Sequence, residues 1–60
     1  MKYYNVSFQS GTVFCSNIAQ AQDAETVAAH YSKYEWHHIT EATEGDVKEA
    51  QRKGKPIITL

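Results

Sequence analysis

The chain has little with which to hold itself together by covalent or metal chemistry. Its 60 residues include one cysteine, one proline, one tryptophan and three glycines. A lone Cys15 excludes an internal disulfide, and a single thiol in a short chain with no secretory signal fits a reducing compartment, packed as a small hydrophobe. Zinc sites in small domains pair their ligands across short fixed spacings, and no such pairing occurs, so neither metal nor cofactor is expected. No apolar run is long enough for a signal peptide or a membrane span, which leads to the expectation of a cytoplasmic protein. The formal net charge of -1 comes from both signs spread along the chain, which removes the simplest electrostatic case for nucleic acid or an anionic membrane. Gly54-Lys55 is not a phosphate loop, because the preceding glycine and the following hydroxyl residue are missing.

What remains is a chain with a hydrophobic share of 42% and an aromatic share of 12%, too rich for disorder. Residues 1–60 make one domain. A chain of this length buries only about 60% of the surface its unfolded form exposes, so the core must be thin. Small scaffolds usually add a disulfide, a metal or a partner subunit. With the first two absent from the sequence, the partner is the remedy to expect.

The patterning gives an element order. Tyr4, Val6 and Phe8 alternate with Asn5, Ser7 and Gln9, which marks a strand over residues 3–9 with one wet face. Ser10-Gly11 supplies a turn, and Thr12-Val13-Phe14-Cys15 follows as the second arm of a hairpin. If Val13 and Cys15 point inward, Phe14 is left on the outer face. From Asp23, which can cap, Ala24, Val27, Ala28 and Tyr31 fall on one helical stripe, predicting a helix over residues 24–33. Residues 35–42 read as a third strand with neither face clearly apolar, Ile39 being placed inward and Trp36 partly exposed or set against the end of the first helix. Thr43 and Asp46 then form a capping box, with Ala42 and Val47 as a hydrophobic staple. Acidic residues lead this second helix and basic residues close it, Gly54 fits a left-handed cap, and Pro56 prevents resumption. Ile57-Ile58-Thr59-Leu60 reads as a last strand inserted in the sheet.

The sequence therefore predicts a two-layer α+β fold in the order β-β-α-β-α-β, a four-stranded mixed sheet with both helices on one face. Right-handed crossovers are expected to set the third strand parallel to the second. The second helix, with Val47 and Ala50 as its only apolar residues, is expected to be a light cover and the first part to open.

Candidate chemistry is sparse. His30, His37 and His38 with Glu35, Glu41 and Cys15 are the only acid-base or metal set, but His37 and His38 are adjacent in a strand and point to opposite faces. They read as surface and rim histidines. Nothing near Cys15 in the sequence supplies the base and orienting group that a thiol nucleophile needs. Lys48, Arg52, Lys53 and Lys55 balance a helix end. The remaining feature is aromatic: Tyr3, Phe14, Tyr34 and Trp36 could share the outer sheet face with His38. An exposed aromatic patch on so small a chain points to a protein interface, and the expected function is a non-enzymatic interaction module acting as a homodimer or an adaptor. The second reading is single-stranded nucleic acid stacked on the same aromatic face.

The Tyr-rich first strand beginning at Met1, the alanine-rich helix and the Gly54-Lys55-Pro56-Ile57-Ile58 ending resemble short open reading frames of bacteria, their phages and mobile elements. That likeness implies a bacterial or phage origin and assigns no functional residue.

Overall fold

A computed structural model describes residues 2–34 and 36–60. The elements run β1 (Lys2–Ser10), β2 (Val13–Ala21), α1 (Ala24–Tyr31), β3 (His37–Glu41), α2 (Glu44–Arg52) and β4 (Ile57–Thr59). The α+β class, the β-β-α-β-α-β order and the four-stranded mixed sheet are those expected from the sequence. The expected third strand began at Glu35, which lies outside the described residues.

The strands lie in the order β3-β1-β2-β4. β1 and β2 form an antiparallel hairpin, β3 is antiparallel to β1, and β4 is parallel to β2. β3 thus runs in the same direction as β2, as expected, but across β1 rather than beside it. At the hairpin tip Ser10 pairs with Val13, leaving a two-residue loop whose first member, Gly11, has φ 64. That is the position where a II′ hairpin needs a residue free of the Cβ clash.

β2 is longer than the sequence suggests, because residues 16–21 carry only Ile18 as a strong strand former. Pairing with the whole of β1 overrides that weak local preference. Its alanines have a purpose: Ala19 and Ala21 are fully buried and leave room for α1 to approach. Opposite them α1 lowers Val27 and Tyr31 onto Tyr4, Val6 and Phe8, and Cys15, Tyr34, Ile39 and Leu60 pack around this cluster. Asp23 caps α1 by accepting from the Thr26 N–H at 2.8 Å and the Thr26 hydroxyl at 2.7 Å. The helix stops at Tyr31, short of the expected residue 33, where Ser32 turns its hydroxyl back onto the Ala29 carbonyl.

α2 corrects the expectation that both helices share one face. Residues paired across a ladder point to the same side, so Asn5 and Ile18 lie opposite the Tyr4-Val6-Phe8 face that α1 covers. Asn5 Nδ2 donates to Asp46 Oδ2 of α2 at 3.0 Å, and α2 lies over Asn5 and Ile18 through Asp46, Glu49 and Ala50. The reason is topological. The β2-α1-β3 connection crosses the sheet one way and β3-α2-β4 crosses back, so two right-handed crossovers must use opposite faces. The layers are helix, sheet and helix, with the main core on the α1 side and, among the described residues, only Ile18 and Ala50 buried on the other.

The ends of α2 are built as its sequence indicates. Asp46 N–H donates to Thr43 Oγ1 at 3.1 Å and Thr43 N–H to Asp46 Oδ2 at 3.0 Å, closing the capping box. At the other end Gly54 N–H reaches the Gln51 carbonyl and Lys55 N–H the Ala50 carbonyl, a Schellman closure for which Gly54 takes φ 74. Thr43→Ala is expected to lower stability by about 1 kcal/mol in chemical denaturation, through the orphaned first-turn amide.

Candidate functional site

α2 reaches only one end of the sheet face on which it lies. That end holds Tyr3, Asn5 and Ile18. The hairpin end of the same face is uncovered, and its side chains come from three strands in two rows. Register places Phe14 across from Gln9, and the Gln9 N–H donates to the Trp36 carbonyl at 3.1 Å, so Phe14, Gln9 and Trp36 form one row. The second row is Ser16, Ser7 and His38.

Phe14 and Trp36 meet edge to face across Gln9, with ring centroids 5.9 Å apart and planes at 79°, the arrangement that the ring quadrupoles favour. Phe14 is 71% exposed and Trp36 45%. Aromatic side chains bury 150–250 Å² each in cores, so the pair leaves roughly 250 Å² of ring surface in water. The Gln9 side-chain amide donates to the Gly11 carbonyl at 2.9 Å. Neither exposed ring belongs to the core of this chain.

Of the residues expected to form one aromatic face, Phe14, Trp36 and His38 do share it. Tyr3 is on the same face but at the other end, half-buried in a hollow of about 290 Å³ that it forms with Ala42, Thr43, Glu44, Val47, Lys48 and Gln51. Tyr34 is on the opposite side: its ring lies 4.6 Å from Phe8 and 5.9 Å from Tyr31, with the Lys33 ammonium 5.4 Å above it. Tyr34 follows α1 directly and so stays on the α1 side, a placement that strand alternation alone cannot reveal. Val13, expected inward, is on the α1 side by register but 59% exposed.

The histidines do not converge. His38 faces outward with Ser7, whereas His37 points to the α1 side beside Phe8, and His30 stands edge-on to Tyr31. Among the described residues no three of histidine, cysteine, aspartate and glutamate are grouped to hold a metal ion. Among the described residues no helix is long and apolar enough to cross a membrane.

Among the described residues, the strand neighbours of the aromatic pair on this face are Gln9, Ser7, Ser16 and His38, with no Lys, Arg, Asp or Glu in either row. Arg52 and Lys53 of α2 are engaged by Glu49, Lys53 at 3.5 Å. The perturbed groups are carboxylates at helix ends. Asp46 is held below the usual carboxylate range by the Thr43 N–H and then by Asn5, Asp23 by the hydroxyl and N–H of Thr26, and Glu49 by Arg52 first. A carboxylate whose folded pKa is depressed adds stability above its unfolded pKa, near pH 4, and loses it as pH falls through the folded value. Helical circular dichroism is therefore expected to hold steady from neutrality down to about pH 5 and to weaken below about pH 4.

No protein-family model, no curated protein and no solved structure matches this chain.

Proposed function

We propose that the chain is a cytoplasmic, non-enzymatic protein-interaction module that works as a homodimer or as an adaptor to another protein. The observation that carries this reading is the Phe14–Trp36 pair, two large rings in contact yet exposed at the uncovered end of a sheet face. Leaving such surface in water is unfavourable by roughly 25 cal/mol per Å², and interfaces are where aromatic side chains of this kind are concentrated. The thin core and the absence of a second cysteine point the same way. Single-stranded nucleic acid is the weaker reading, since stacking platforms are set in positively charged grooves and no Lys or Arg stands in the two rows that hold this pair.

The combined Phe14→Ser and Trp36→Ser variant is expected to abolish association with the partner, whether a second copy or another protein, while its denaturation midpoint stays near that of the parent. Exposed substitutions typically change stability by no more than about 0.5 kcal/mol. Unchanged association in the folded double variant would remove the reading. A shift of fluorescent single-stranded DNA or RNA at low salt would favour the nucleic-acid alternative instead.

A further inference from the structure

We propose that the free edge of β3 pairs antiparallel with β3 of a second copy, centred on Ile39, to join two sheets into one. This rests on the interaction reading and names its partner.

The sheet ends in two edges that differ. β4 has three residues and is preceded by Lys55 and Pro56, features that discourage further strand addition. β3 has five residues, His37–Glu41, with no proline, glycine or lysine. Its backbone polarity is fixed by the bonds at its two ends. The Gln9 N–H donates to the Trp36 carbonyl and the Ala42 N–H to the Tyr3 carbonyl. In an antiparallel ladder the N–H and C=O of one residue point the same way and those of the next point oppositely. The backbone groups of Trp36, His38, Thr40 and Ala42 thus face β1, and those of His37, Ile39 and Glu41 face away from the sheet. Within β3 these three can bond a new strand.

That restriction selects a register. An antiparallel partner must set outward residues against outward residues, and the one arrangement that overlaps the whole strand places Ile39 on the partner's Ile39. His37 then lies opposite the partner's Glu41, and by symmetry Glu41 lies opposite the partner's His37. Cross-strand pairs of this kind are favourable, so the strand complements itself.

The same register places Trp36 opposite the partner's Ala42, as a close pair without hydrogen bonds, and both are on the outer face. Ala42 lines the hollow of about 290 Å³ that Tyr3 and Val47 also wall. Edge pairing thus brings position 36 of each copy next to this hollow in the other, while the Trp36 ring lies across Gln9 against Phe14. The interface is small, below the roughly 1,200 Å² of standard complexes, and the dimer is expected to form and dissociate with concentration.

The test is light scattering on size-exclusion chromatography over a range of concentrations, with circular dichroism confirming the fold of every variant. The parent chain is expected to rise towards twice 6.8 kDa. His37→Glu sets two like-charge pairs across the join and is expected to weaken the dimer about tenfold. Adding Glu41→Lys to it places opposite charges across the join, and dimerisation should return. Glu41→Pro deletes an outward N–H while leaving the bonds to β1, and is expected to give a folded monomer. A chain that stays monomeric up to millimolar concentration overturns the proposal, as does a dimer indifferent to both His37→Glu and Glu41→Pro. If that indifferent dimer is instead lost on Phe14→Ser alone, the interaction reading stands and only the edge pairing fails.

Discussion

A chain ended at Pro56 is expected to lose its cooperative unfolding transition altogether. Residues 57–60 look like a trim on the edge of the sheet, yet Ile57, Ile58 and Leu60 are all half-buried. Ile57 stands across from Ile18 on the α2 side and Ile58 across from Ala19 on the α1 side. Leu60 packs on the main core, and its N–H donates to the Gln20 carbonyl at 2.8 Å. Their removal uncovers Ile18, opens the long edge of β2 and takes a wall from both cores at once. A single core in a chain of this size rarely supplies more than about 3–5 kcal/mol, so little is left to resist the loss. Well-dispersed amide resonances in the shortened chain would show that β4 is dispensable.

Tyr31→Ala is expected to unfold the chain as well, for a different reason. Tyr31 is 2% exposed and packs in a three-ring cluster with Phe8 and Tyr34, 5.1 Å and 5.9 Å from their ring centroids. Truncating a buried aromatic to alanine costs about 3–5 kcal/mol in transfer and cavity terms, which is the whole stability available to so thin a core. Tyr31→Phe separates the ring from its hydroxyl. That oxygen is buried without a hydrogen-bond partner among the described residues, and taking away an unsatisfied polar atom is close to neutral or stabilising. Thermal denaturation should therefore show no folded state for Tyr31→Ala and a midpoint at or above the parent's for Tyr31→Phe. A stable alanine variant would mean that α1 is held to the sheet by something other than this ring.

Much of this architecture was legible in the sequence because local and tertiary preferences agree. The alternation of Tyr4, Val6 and Phe8, the Asp23 cap and the Thr43-Asp46 box each mark a boundary by a mechanism confined to a few neighbouring residues, and each is found where its residues stand. What was not legible depends on long-range order. The side on which α2 falls follows from β3 pairing with β1 rather than β2, and no local pattern encodes that choice. Once the strand order is known, crossover handedness sends α2 to the opposite face. The aromatic site divides along the same line. Phe14 and Trp36 come together because strand register aligns them, and alternation could suggest that. Tyr34 follows a helix rather than lying in a strand, so its fate was decided by α1, which draws it onto Phe8. Tyr3 keeps its predicted face but lies beneath the end of α2, and that cover could not be foreseen while both helices were assigned to the other side.

The pairing of β3 can be tested one amide at a time, without altering the chain, by hydrogen exchange at low and high protein concentration. His38 and Thr40 donate towards β1 and should be protected at both. His37, Ile39 and Glu41 face the free edge, and their exchange should slow as concentration rises, in step with the dimer population. Equal rates at these three amides across the range would contradict the account and leave β3 an unpaired edge.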